Sequence, residues 1–291
     1  MAPKILLIGP SGYIGSFLTL NLKDKYDLSC IVRKNSQIEL TNYSNRYYHH
    51  ELKDDKIFTN ILSQYDVLIN CYGFAHSNIK SKKKLSNLID SNIYFCKRIF
   101  KLCSISKIKK VIHLSSIKAM GEEGYFDINS KENPSSFYGR SKLISEKILI
   151  NTFKKKTSKK KYHIIRLPLV FGENKFKGYL RIIHCYLKLK LPFPIFKNSG
   201  YRSYISENDL TKLVSSIIEN DNIKSGIILY QSFQLNFKGL INEISKIYSF
   251  SPVYFYVPNF LISIFLKNFS KKFYNKIFSE NIIKNNFKLE I

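Results

Sequence analysis

The stretch Lys4-Ile5-Leu6-Leu7-Ile8-Gly9-Pro10-Ser11-Gly12-Tyr13-Ile14-Gly15 joins an apolar run of strand length to three glycines spaced G-x-x-G-x-x-G. A segment with helical periodicity, Tyr13 to Leu22, continues from the glycines. Glycine lets the backbone turn sharply and approach a pyrophosphate closely, while a helix N-terminus offers unpaired N–H groups and a favourable dipole. A glycine triplet alone also suits an ordinary tight turn. Its position between an apolar strand and an amphipathic helix satisfies the context of a dinucleotide fingerprint. Gly9, Ser11, Gly12, Tyr13, Ile14 and Gly15 are therefore expected at a cofactor.

Outward from this turn, apolar runs recur at Leu28 to Val32, Val67 to Cys71, Val111 to Leu114 and Ile164 to Leu167. Helix candidates lie between them at Ile57 to Leu62, Ile89 to Cys103 and Tyr138 to Phe153. That alternation predicts an α/β fold with a doubly wound parallel sheet of the Rossmann type. Beyond Leu167 the pattern loosens into Pro-containing and aromatic segments such as Leu191-Pro192-Phe193-Pro194. A strand-like run at Gly226 to Leu229 and a helix-like run at Leu240 to Tyr248 follow. The expected organisation is a dinucleotide-binding domain over 1–167 and a smaller, irregular C-terminal substrate lobe over 168–291, with some segments returning to the main sheet.

The formal charge of +26 is mostly lysine and is spread along the chain. It is read as a solvated surface, and no nucleic-acid partner is expected. Two clusters, Lys80 to Lys84 and Lys154 to Lys161, are expected to be exposed loops, with weak attraction to an anionic membrane surface as the lesser alternative. The apolar segment Pro258 to Leu266 is shorter than the roughly 20 residues of a membrane-spanning helix and is expected to pack on the substrate lobe. Met1-Ala2-Pro3-Lys4 leaves no room for a charged leader before Ile5, so a cytoplasmic location is expected. The five cysteines form no C-x-x-C pair and the six histidines no metal-binding spacing. Free thiols and no metal are expected.

Tyr138-Gly139-Arg140-Ser141-Lys142 sets a tyrosine and a lysine at i and i+4, on one helix face. A nearby ammonium favours the phenolate, so Lys142 is expected to lower the Tyr138 pKa toward working pH and let it exchange a proton with a substrate oxygen. In so lysine-rich a chain this spacing also arises by chance, as Tyr186 with Lys190 illustrates. Ser115 and Ser116 separate the two pairs: they follow the run Val111 to Leu114 and should lie at the carboxyl edge of the sheet, where open α/β folds bind ligands. Ser116 is preferred over Ser115 as the hydroxyl that orients the reacting oxygen. About 20 residues past a glycine turn an NAD enzyme usually carries an acid for the ribose hydroxyls. Here Arg33 and Lys34 stand at the end of the second strand, suiting the 2′-phosphate of NADP or simply ending the strand as two solvated charges.

With these motifs in order, the chain resembles the extended short-chain dehydrogenase/reductase family, its NAD-dependent epimerase/dehydratase group. His113-Leu114-Ser115-Ser116-Ile117-Lys118, Tyr138 to Leu143 and Arg166-Leu167-Pro168-Leu169-Val170-Phe171-Gly172 are similar to the subgroup acting on UDP-sugars in bacterial surface-polysaccharide (lipopolysaccharide) synthesis. The resemblance implies Ser116, Tyr138 and Lys142 as catalytic residues. It implies cofactor contacts from Tyr72, Asn92, Ser115, Tyr138, Lys142 and Pro168, and substrate contacts from Ser116, Lys118, Tyr138, Arg202 and Asp209, with Arg202 clamping the diphosphate. Dimers paired through helices are common in that family.

Ile117 and Lys118 occupy the positions where the family's 4,6-dehydratases carry an Asp-Glu pair, which argues against dehydration. Cys71-Tyr72-Gly73 and Gly178-Tyr179 also depart from the family pattern. The leading expectation is an NADP(H)-dependent reductase of a nucleotide-linked 4-keto sugar. The alternatives are a 4-epimerase holding NAD and a non-catalytic NADP-binding regulator on the same fold.

Overall fold

The computed structural model describes residues 2–32, 46–49, 52–74, 81–154, 160–172, 179–247, 249–258 and 271–289. The first half contains β1 (Lys4–Ile8), α1 (Tyr13–Leu22), β2 (Asp27–Val32), β3 (Arg46–Tyr48), α2 (Asp55–Leu62), β4 (Val67–Asn70), α3 (Lys82–Ile89), α4 (Phe95–Ile105) and β5 (Lys110–Ser116). Then come β6 (Gly124–Phe126), α5 (Phe137–Lys154), β7 (Lys161–Leu167), β8 (Leu169–Phe171), α6 (Tyr179–Lys188), β9 (Phe193–Ile195), β10 (Arg202–Ser206) and α7 (Glu207–Glu219). The remainder is β11 (Gly226–Ile228), β12 (Phe233–Leu235), α8 (Phe237–Lys246), β13 (Tyr254–Tyr256), α9 (Lys271–Phe278) and β14 (Asn281–Ile283).

Seven parallel strands form the main sheet in the order β11-β7-β5-β4-β1-β2-β3. Ile5, Leu6, Leu7 and Ile8 are all buried, as a strand covered on both faces requires. Residues of α1 and α7 pack on one face with Ile5 and Leu7, while α2, α4 and α5 pack on the other with Leu6 and Ile8. The sheet is therefore doubly wound. The chain leaves β1 toward β2 and β3, then returns to β4 on the opposite side, so the topological switch point falls between β1 and β4. A second sheet, β12-β10-β14-β6 with β8 beside β10, stands next to it. There β14 enters between two strands that precede it in the chain, pairing parallel to β10 at Arg202↔Asn281 and parallel to β6.

Several sequence expectations change in detail. Ser115 and Ser116 are the last two residues of β5, not a turn beyond it. The helix expected from Ile89 begins at Lys82 and runs to Ile105 through a π turn at Asp90–Tyr94. Lys82, Lys83 and Lys84 thus open a capped helix, with Ser81 Oγ accepting the Lys84 amide. Lys160 is half-buried and donates to the carbonyls of Cys103 and Ser104 near the end of α4. Of the second lysine cluster, residues 155–159 lie outside the described residues, as do 259–266 of the apolar segment. Lys190 adopts a left-handed φ of 54° beyond the end of α6, so Tyr186 and Lys190 do not share a helix face. Among the described residues no helix is long and apolar enough to cross a membrane.

Candidate active site

The turn after β1 is shaped by close backbone approach. Gly9 has φ +86°, and a Cβ there would lie 3.0 Å from the Tyr72 backbone. A Cβ on Gly15 would stand 2.1 Å from the Gly9 carbonyl oxygen, so only glycine lets α1 seat against the turn. Asp54, Ser81, Ser206 and Asn236 cap α2, α3, α7 and α8 with their side chains, whereas α1 starts from Gly12 with no side-chain cap and no acid in its first turn. An uncapped N-terminus beside a turn that admits no Cβ fits the pyrophosphate of a dinucleotide. Gly9, Ser11 and Gly12 line a cleft with Ile31, His49, Tyr72, Gly73 and Ser91, at the switch point. Ile14 is turned into the core between α1 and the sheet.

The opposite wall leaves β4 through Cys71, Tyr72 and Gly73. Asn70 Oδ1 accepts the Tyr72 amide at 3.1 Å, and the Tyr72 ring packs on His49 and Phe95. Asn92, 1 % exposed in the π turn, accepts the Phe74 amide at 2.7 Å and donates to the Phe74 carbonyl and to Ser141 Oγ. It ties the cleft wall to α5. The sequence placed Asn92 at the cofactor; its amide is spent within the protein.

Ser116, Tyr138 and Lys142 come together where β5 meets α5. The Ser116 hydroxyl interacts with the Tyr138 phenol and accepts the Lys118 amide at 3.3 Å. Burial pushes the Tyr138 phenol up to about 12, the Ser116 hydrogen bond pulls it down, and the Glu122 carboxylate pushes it up again. Lys142, 5 % exposed, donates to the Leu114 carbonyl at 2.7 Å. Burial lowers its pKa, opposed by the fields of Cys96 and Glu146. The expected lowering of Tyr138 toward neutral pH is not seen: desolvation is the largest influence on the phenol, and the Lys142 ammonium is turned to the Leu114 carbonyl.

Beneath the pair lies a buried ionic network that the sequence reading did not identify. Arg166, 2 % exposed in β7, binds both oxygens of Glu146 in α5 and reaches Glu132 at 2.6 Å. Glu146 also accepts the Ser115 hydroxyl. Ser115 was expected at the cofactor, but alternation along β5 turns its side chain into this network and leaves Ser116 to the site. Beside it, the buried His113 bridges Asn70 at 3.2 Å and Ser145 at 3.0 Å, and burial holds its pKa well below the ordinary range. Glu146 lies four residues beyond Lys142, a spacing that could have flagged it.

The remaining candidates are more dispersed. The Lys118 ammonium pairs with Glu122 at 3.0 Å. Pro168 is buried between β7 and β8. Arg202 Nη2 donates to the Asn275 carbonyl and to Ser279 Oγ, both at 2.7 Å, so one edge of the expected diphosphate clamp is already engaged by α9 and the residue after it. Asp209 sits in the first turn of α7, where its charge acts on Tyr230. Arg33, Lys34 and Gly178 lie outside the described residues. Among those described, no cluster of three His, Cys, Asp or Glu side chains could hold a metal ion.

Residues 5–229 match the profile of the NAD dependent epimerase/dehydratase family. Over 176 residues the chain is 23% identical to the N-acetyl-alpha-D-glucosaminyl-diphospho-ditrans,octacis-undecaprenol 4-epimerase of Escherichia coli O157:H7, covering 60% of this chain and 50% of that protein. A dTDP-D-glucose 4,6-dehydratase of Dictyostelium discoideum is 25% identical over 144 residues, covering 45% of this chain and 33% of that one. The chain thus spans half or less of the length of these curated relatives. In structure it is similar to the UDP-glucuronic acid 4-epimerase of Bacillus cereus solved with NAD, at a TM-score of 0.72 and 18% identity over 97% of this chain and 90% of that one. It is also similar to a Bordetella bronchiseptica enzyme solved with NAD and UDP, at 0.73 and 13% identity over 100% and 90%.

Proposed function

We propose that this chain, which belongs to the NAD dependent epimerase/dehydratase family, reduces a ketone at C4 of a nucleotide-linked sugar in surface-polysaccharide precursor synthesis, with UDP the favoured nucleotide. The observation that carries this reading is the Tyr138 phenol. Half-buried beside Ser116 and under the field of Glu122, the phenol has its pKa raised to about 12 and so holds its proton at neutral pH. A neutral phenol is the form that gives a proton to a carbonyl oxygen as the C=O bond is reduced.

In this reading Ser116 orients the C4 oxygen and Tyr138 donates to it. Lys142 holds the site's positive charge next to Gly73, where a Cβ would lie 3.5 Å from its Nζ. Lys118, Arg202 and Asp209 serve the sugar nucleotide. When bound, the dinucleotide supplies the hydride that forms the new C–H bond; Gly9, Ser11, Gly12, Tyr13 and Tyr72 would hold it. Preference for NADP has only Arg33 and Lys34 behind it, while the solved neighbours named above carry NAD.

A 4-epimerase using the same residues is the second reading, supported by the activities for which the Escherichia coli and Bacillus cereus relatives are named. It requires Tyr138 to start as the phenolate, a form that its raised pKa makes scarce. Incubating the purified protein with UDP- and dTDP-linked 4-keto sugars plus NADPH or NADH separates the two. Oxidation of added cofactor that depends on the keto sugar is expected. Stoichiometric NAD retained through purification, with sugars interconverted and no cofactor added, would overturn the reductase reading.

A further inference from the structure

Glu207 opens α7 at the end of β10, yet its side chain reaches across to the glycine turn and hydrogen-bonds the hydroxyl of Tyr13, the first residue of α1. The seat is made by Gly172, just past β8. A Cβ at residue 172 would lie 2.0 Å from Glu207 Cδ and 2.2 Å from Oε1, so the carboxylate occupies the space that any other residue would fill. Glu207 is half-buried.

An acid in the first turn of α7 suits that helix's dipole. The dipole does not explain why the side chain turns to Tyr13. The carboxylate thus stands beside the first residue of α1, the helix whose N-terminus would face the phosphates, and a like charge there raises the free energy of a bound diphosphate. We infer that Glu207 is a release residue: its carboxylate, held by Tyr13 and seated on Gly172, weakens the grip of the glycine turn on the dinucleotide so that the cofactor exchanges between turnovers. A reductase, which consumes one reduced cofactor per product, needs that exchange. The inference rests on the reading of this turn as a dinucleotide site.

The test is equilibrium binding of NADH and NADPH to the full chain, followed by fluorescence at low salt. Glu207→Gln keeps the shape and a hydrogen-bond partner for Tyr13 but removes the charge. It should tighten both dinucleotides about three- to tenfold, with the gain shrinking at about 0.5 M salt. Tyr13→Phe leaves the carboxylate without its neutral donor and should weaken binding. Unchanged or weaker binding by folded Glu207→Gln overturns the inference. If that variant does not fold, unchanged or tighter binding by Tyr13→Phe overturns it instead. Failure of the unmodified chain to bind either dinucleotide refutes the cleft reading itself, an outcome distinct from both.

Discussion

The Lys142 ammonium donates to the Leu114 carbonyl at 2.7 Å, two residues before the Ser116 hydroxyl that meets Tyr138. One buried cation thus fixes the strand that presents the serine against the helix that presents the tyrosine. Lys142→Met is expected to lower kcat at least about 100-fold. Its effect on stability depends on pH. The folded-state pKa of Lys142 lies below the unfolded one, so its charge costs most at low pH. That cost is relieved as pH rises through the folded pKa toward the unfolded one. The variant should lack this rise, which urea denaturation across alkaline pH measures.

Tyr138→Phe should abolish turnover while dinucleotide binding, read by fluorescence titration, stays near that of the unmodified protein. With its phenol raised to about 12, Tyr138 stabilises the fold at pH below the unfolded value near 10, a contribution lost between about pH 10 and 12. Glu122 helps raise that pKa, so Glu122→Gln should move the alkaline fall of turnover to lower pH. An unmoved limb would exclude Glu122 as a source of the shift.

Glu146→Ala leaves Arg166 buried with Glu132 as its remaining carboxylate. Breaking one side of a buried ion pair costs about 3–5 kcal/mol, and the midpoint of chemical denaturation should fall accordingly. Glu146→Gln, which keeps an acceptor for Ser115, should lose less.

Gly15→Ala forces a methyl against the Gly9 carbonyl at 2.1 Å. Backbone cannot move aside as a side chain can, so a loss of at least about 2 kcal/mol is expected, together with loss of dinucleotide binding. Both are read from thermal unfolding with and without NADH.

The parts of this site visible in the sequence are those written in local spacing. The Gly9 to Gly15 turn, the serines closing β5 and the i,i+4 relation of Tyr138 and Lys142 each need only a few neighbouring residues to be legible. Helix α1 spans Tyr13–Leu22, the segment the periodicity marks. What sequence spacing does not carry are partnerships between distant segments: Arg166 with Glu146 and Glu132, Arg202 with Asn275 and Ser279, Glu207 with Tyr13. The direction of the Tyr138 shift belongs with these. Spacing shows the lysine four residues away, but neither the desolvation of the phenol nor the Leu114 carbonyl that takes the ammonium.

The insertion of β14 between β10 and β6 has a consequence for biosynthesis. Six strands of the seven-stranded sheet have left the ribosome once residue 167 emerges, and β11 completes it by residue 228. In the second sheet β8, β10 and β12 can pair by residue 235, but β6 joins them only through β14, residues 281–283. During that interval β6 presents unpaired backbone of the kind that recruits other chains. The seven-stranded sheet of the nascent protein can thus mature early, while β6 stays open to mispairing until β14 arrives.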